Sequence, residues 1–234
     1  MKVELMTHTP EPDKVIASAA RLCYSNKADI QTIMSGFTQE SIEKFVQDLA
    51  DVGHESPFEH VSFTFGIEGV SRTTSHEAVR HRIASYSQRS QRYCGEEKFS
   101  YTIPKTIQDN ADLLKKYTDK IEELKSLYSE MVENGIPKED ARYILPNATH
   151  TRFIMTMNAR SLMNFFHLRC CNRAQNEIRE MANQMLKLCK EVAPAIFKNA
   201  GASCVSLGYC PEGSRCCGRA KTLSEILEVA KKSR

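Results

Sequence analysis

The stretch Asn110–Glu133 most constrains what this chain can fold into. Leu113, Leu114, Tyr117, Ile121, Leu124, Leu127, Tyr128 and Met131 recur at helical spacing there, and charged residues fill the opposite face. Asn134-Gly135 ends the pattern. A single amphipathic helix of that length excludes an all-β fold.

The rest of the chain reads as shorter pieces of both kinds. Val3–Met6, Val61–Ile67 and Phe99–Ile103 are β-rich, and His150–Met157 alternates Thr151, Phe153 and Met155 against Arg152, Ile154 and Thr156. Helical spacing covers 13–23, a segment behind Thr38 as N-cap that stops near Gly53, and then 71–83, 161–168, 175–197 and 223–231. Pro137 opens a further short helix, closed by Pro146. Asn26–Gly36 reads as a loop or a short turn of helix, and Tyr86–Arg92 as a loop. Helices and strands do not alternate regularly, so no doubly wound parallel unit emerges. The expected class is α+β: one domain over 1–234, a central mixed sheet flanked by helices, and an irregular Cys-rich tail from about 201.

Lys and Arg number 32 against 29 acids, a net charge of only +3. A dedicated nucleic-acid binder carries a larger or more clustered surplus. The excess here is local: residues 80–92 hold four arginines and a histidine with no acid. No window approaches 18 consecutive apolar residues, so no transmembrane helix is expected. MKVELMTHTPEPDK does not read as a signal peptide, and the nine cysteines read as reduced thiols. A cytoplasmic location follows by elimination.

Four groups of residues carry chemistry. Arg80-His81-Arg82, followed after seven residues by Ser90-Gln91-Arg92, suits a phosphorylated nucleotide: hydroxyl, guanidinium and backbone N–H groups can converge there. If 80–82 are helical, their side chains splay about 100° apart, so they cannot all grip one phosphate and can serve two ligands, or one ligand plus a neighbouring subunit. In Gly53-His54-Glu55-Ser56-Pro57-Phe58-Glu59-His60 the spacing is not that of a zinc helix. His54 reads as a ring that packs on a flat ligand with Ser56 as a polar contact, or the segment is a helix end and a turn. Arg160 and Asn164 share a helical face, as do Arg169 and Arg173, among apolar neighbours. These arginines either aim at a ligand or pair with Glu177 or Glu180. Cys204, Cys210, Cys216 and Cys217 lack a CxxC pair and read as a metal-free thiol tail; Cys94 reads as a bystander.

Arg-His-Arg, seven residues, then Ser-x-Arg resembles the signature of flavin-dependent thymidylate synthases. The resemblance continues through GHESPFEH (53–60), NARSLMNFFHLR (158–169) and AQNEIR (174–179). It implies a homotetramer that converts dUMP to dTMP with FAD, methylenetetrahydrofolate as carbon donor and NADPH as reductant. It implies FAD contacts at Ser56, Arg80, His81, Arg82, Gln88, Asn158, Arg160, Asn164 and Arg173, with His54 stacked near the flavin and folate. For dUMP it implies Glu77, Arg80, Gln88, Arg89, Ser90, Arg92, Arg142 and Arg169, with Tyr93 beside the base. Glu77 departs from the glutamine usual in the family; an ionised carboxylate only accepts hydrogen bonds, so it must be protonated, turned away or neutralised by an arginine such as Arg80. No cysteine has a nucleophile's setting. The resemblance implies polarisation of the pyrimidine ring instead, and Arg169 is the expected catalytic group, stabilising negative charge over N3 and the carbonyls.

Overall fold

The computed structural model describes residues 1–26 and 29–232. In chain order the elements are β1 (Lys2–His8), α1 (Pro12–Leu22), α2 (Ile30–Ser35), α3 (Gln39–Asp51), a 3-10 turn (Ser56–His60), β2 (Ser62–Ser71), α4 (Arg72–Ala78) and β3 (Ser85–Gln88). There follow α5 (Lys105–Gln108), α6 (Ala111–Glu133), α7 (Lys138–Ala141), β4 (His150–Asn158), α8 (Ala159–Arg169), α9 (Asn176–Val192), α10 (Ser203–Leu207) and α11 (Leu223–Lys232). The fold is α+β. The four strands form one antiparallel sheet in the order β1-β2-β4-β3, flanked by helices. No helix of the described residues is long and apolar enough to cross a membrane.

Local chemistry sets most helix starts. Thr38 and Ser41 exchange the two bonds of a capping box at α3. Asn110 accepts from the Leu113 N–H at α6, and Asn158 from the Ser161 N–H at α8. In the segment 26–36, α2 is capped by Asp29, and residues 27–28 lie outside the described residues.

Four expectations need correction. The helix expected over 71–83 ends at Ala78, the loop expected at 86–92 begins as strand β3, and the helix expected over 175–197 ends at Val192, two residues before Pro194. The first two share a cause. In a continuing helix the Ala78 carbonyl would accept the Arg82 N–H, but the Tyr86 hydroxyl donates to it at 2.7 Å. The chain then extends along β4, where the Arg89 N–H reaches the Arg152 carbonyl at 3.0 Å. The strand expected at 99–103 is reduced to one bridge between Tyr101 and Thr149.

The chain divides into two compact units, and strands β2 and β4 run from one into the other. The first comprises Met1–Lys2, Gly66–Arg80 and Tyr86–Met155. Its core holds Ile67, Val70, Phe99, Ile121, Tyr128 and Phe153. The wholly buried Tyr128 keeps its hydroxyl satisfied by the Glu96 N–H. The second comprises Val3–Phe65, His81–Ser85 and Thr156–Arg234. Here Phe63, Phe166 and Phe197 meet edge to face at 5.3 and 5.9 Å, and each buried ring contributes about 2 kcal/mol by leaving water. Buried Asp13 accepts the N–H groups of Ala195 and Ile196, tying α1 to the chain that leaves α9.

Candidate functional site

Arg80 lies in the turn after α4 and His81 and Arg82 in the irregular chain that follows, not on a helix. Their divergence therefore owes nothing to a helical step. Arg80 and Arg82 are exposed, while His81 is half-buried.

In the first unit the expected nucleotide residues gather in pairs. Arg92 forms an ion pair with Glu139, and the Arg142 Nε–H donates to the carbonyl of that same residue at 3.2 Å. The Ser90 hydroxyl accepts the Arg92 N–H at 3.1 Å, and the Arg92 guanidinium lies 5.4 Å from the exposed Tyr93 ring. Ser90, Arg92, Tyr93 and Arg142 thus form one surface cluster. Arg89 points elsewhere: it pairs with buried Glu96 and donates to the Gly95 carbonyl. Burial pushes the Glu96 carboxyl up, and Arg89 opposes that shift. Gln88 donates to the hydroxyls of Ser75 at 2.8 Å and Thr151 at 3.1 Å. Glu77 stands half-exposed in the last turn of α4.

In the second unit His54, Ser56 and Arg160 line an open cleft of about 410 Å³, together with Tyr24 and Leu49. Arg160 is pinned across it by Glu55 at 3.0 Å and Glu59 at 2.6 Å. Asn158 uses its side-chain oxygen to cap α8, and Asn164 lies exposed on that helix one turn beyond Arg160.

Arg169 ends α8, and its Nε–H donates to His81 Nε2 at 3.0 Å. The His81 ring also packs edge-on against Phe165, with centroids 4.8 Å apart. Burial, and then the neighbouring guanidinium, push His81 down to about 4. The ring is therefore neutral at pH 7, with Nε2 as the acceptor and the proton on Nδ1. Arg169 and Arg173 line a second cavity of about 260 Å³, closed by the tail. Arg173 donates to the Arg215 carbonyl at 3.1 Å rather than to Glu177 or Glu180. Among the described residues no group of three or more His, Cys, Asp or Glu is placed to hold a metal ion.

Residues 4–195 match the family model described as "Thymidylate synthase complementing protein". The chain is 46% identical to a flavin-dependent thymidylate synthase of Clostridium tetani, with 97% of this chain and 96% of the relative covered. It belongs to this family. The Geobacter sulfurreducens relative of the same name is 45% identical, with 97% of each chain covered. The Pyrococcus furiosus relative is 41% identical, with 91% of this chain and 90% of the relative covered.

The arginines of the expected site take acid partners that spacing did not pair with them. Glu139, Glu96, Glu55 and Glu59 each hold an arginine of the expected site, from positions remote in sequence or outside any motif. Arg215 and Arg219 of the tail also went unnoticed, because isolated arginines in a Gly- and Cys-rich stretch carry no local signal.

Proposed function

We propose that this chain catalyses the reductive methylation of dUMP to dTMP, as a cytoplasmic homotetramer using FAD, methylenetetrahydrofolate and NADPH. The observation that carries this reading is the hydrogen bond from Arg169 to His81. It joins the signature segment to the end of α8 and orients the Arg169 guanidinium. Such a group suits negative charge that develops on a pyrimidine ring.

The residues present fit a flavin dinucleotide in their donor chemistry. Exposed Arg80 and Arg82 offer guanidinium donors for phosphate, and His54 and Ser56 line the open cleft of about 410 Å³. Arg160 is held there by exposed ion pairs, which a phosphate can replace. FAD, when bound, supplies the hydride chemistry. Asn158, Asn164 and Arg173 complete its proposed contacts.

For dUMP, Ser90, Arg92 and Arg142 take the phosphate, and Tyr93 lies beside the base. Arg92 exchanges its exposed partner Glu139 for the phosphate. Arg169 polarises the ring as C5 attacks the one-carbon unit, so no cysteine adduct is needed. His81 positions Arg169. Gln88 and Arg89 hold the segment in register from within, through Ser75, Thr151 and Glu96. Glu77 accepts from a neighbouring arginine such as Arg80. Exposed apolar residues on α6 (Leu113, Leu127) and α11 (Leu223, Leu227, Val229) support self-association.

A visible spectrum of the purified protein, then NADPH oxidation with and without dUMP, tests the reading. Flavin absorbance and dUMP-dependent oxidation are expected, and Arg169→Ala should lose most turnover while retaining flavin. A colourless protein that FAD does not reconstitute, with no dUMP-dependent oxidation, would overturn it.

A further inference from the structure

The tail folds back to close the cavity of about 260 Å³ at the end of α8. Four guanidinium side chains line it, from Arg169, Arg173, Arg215 and Arg219, against the single carboxylate of Glu212. Arg173 and Arg219 are anchored by neutral backbone carbonyls, those of Arg215 at 3.1 Å and Cys170 at 3.3 Å. Each guanidinium has five N–H donors, and one carbonyl occupies only part of that capacity. Among the described residues, no carboxylate forms an ion pair with Arg173, Arg215 or Arg219. Burial pushes His167, also in the lining, down, so it adds no further positive charge at pH 7. So many like charges around one small space repel one another, and an anion between them removes that cost.

Two of the four arginines lie beyond residue 195, where the match to the family model ends. The tail therefore supplies two of the four guanidinium groups from outside the stretch that the family model matches. In the proposed function, on which this inference rests, the dUMP phosphate is taken by Ser90, Arg92 and Arg142 and the FAD phosphates by Arg80 and Arg82, and Arg173 alone among the proposed FAD contacts lines this cavity. The anionic groups left are the phosphates of the dinucleotide reductant and the glutamate carboxylates of the folate.

We propose that the tail, through Arg215 and Arg219, completes an anion subsite that holds a phosphate or carboxylate of a transient co-substrate beside Arg173. Guanidinium groups suit both, because their paired N–H donors match two oxygens of either.

The test uses the full-length holoenzyme and calorimetric titration with two probes: adenosine 2′,5′-bisphosphate and triglutamate. Arg215→Ala with Arg219→Ala should weaken one of them by at least about tenfold, the loss of one charge-assisted hydrogen bond. The backbone carbonyl that holds Arg173 survives this change, and flavin content with the melting temperature reports whether the cavity does. Arg215→Lys with Arg219→Lys should bind more weakly than wild type but more tightly than the alanine pair, because the charge is kept while the paired N–H donors are lost. Loss confined to the bisphosphate assigns the subsite to the reductant, and loss confined to triglutamate assigns it to the folate. If the alanine pair does not fold, Arg219→Gln alone carries the same expectation. The proposal fails if wild type binds neither probe at low salt, or if the charge-removing variants bind both within about twofold of wild type. dUMP-dependent oxidation is read separately. Its absence alongside charge-dependent probe binding would remove the proposed function and leave the subsite standing.

Discussion

Replacing His81 with phenylalanine isolates one bond. The new ring keeps the edge-on packing on Phe165 at 4.8 Å but loses the Nε2 that accepts from Arg169 at 3.0 Å. A hydrogen bond to a charged group is worth about 1.5–3 kcal/mol, and a half-buried site takes the lower end. About 1.5 kcal/mol corresponds to roughly tenfold in rate. In the proposed reaction His81→Phe should therefore lower kcat/KM for dUMP-dependent NADPH oxidation about tenfold with flavin retained. His81→Asn, whose amide oxygen can still accept, should stay within about threefold. The same substitution has a signature in stability. Burial and the Arg169 charge push His81 down to about 4 in the folded chain, against 6.5 for the free side chain. The unfolded chain therefore takes up a proton as pH falls through 6.5, while the folded chain does not until about 4. The stability tied to a neutral His81 is present above pH 6.5 and declines as pH drops through that window. The whole shift amounts to about 3 kcal/mol, which solvent screening at a half-exposed ring reduces to about 1–2. Urea unfolding at pH 7.5 and pH 4.5 should show a fall larger by that amount in wild type than in His81→Phe. Wild-type kcat/KM in His81→Phe, or equal falls in stability for the two proteins, would refute the coupling.

Asp13→Ala should leave the N–H groups of Ala195 and Ile196 without their buried acceptor, at a cost of about 2–3 kcal/mol. A thermal melt should drop by roughly 4–10 °C, and an unchanged melt would show that the carboxylate is not holding the end of α9. Arg92→Ala and Glu139→Ala break one exposed ion pair from opposite sides, so each should change stability by less than about 1 kcal/mol. Only Arg92→Ala should raise the KM for dUMP, by about tenfold or more. Equal KM values in the two variants would exclude Arg92 as a phosphate contact.

What the sequence disclosed and what it hid have separate physical causes. The caps at Thr38, Asn110 and Asn158 could be expected from short-range chemistry, because each side chain reaches an N–H only three residues on. The end of α4 depends on Tyr86, which returns from beyond the helix to take the Ala78 carbonyl, and no pattern within 71–83 contains that information. Strand β3 was hidden because an edge strand with only half-buried faces needs no apolar alternation, and Ser85–Gln88 has none. The site divides in the same way. The spacing from Arg80 to Arg92 marks a local segment, yet Arg160 finds Glu55 across 105 residues and Arg169 finds His81 across 88. Such partners are fixed only by the path of the chain. The tail is the extreme case. Arg215 and Arg219 have no spacing that marks them in Cys204–Arg219, and their charge acquires a role only once the tail turns back on α8 and brings them beside Arg173. A residue type that signals nothing locally becomes a binding group through the cavity it closes. A substitution in this tail is therefore expected to alter ligand affinity before it alters the fold.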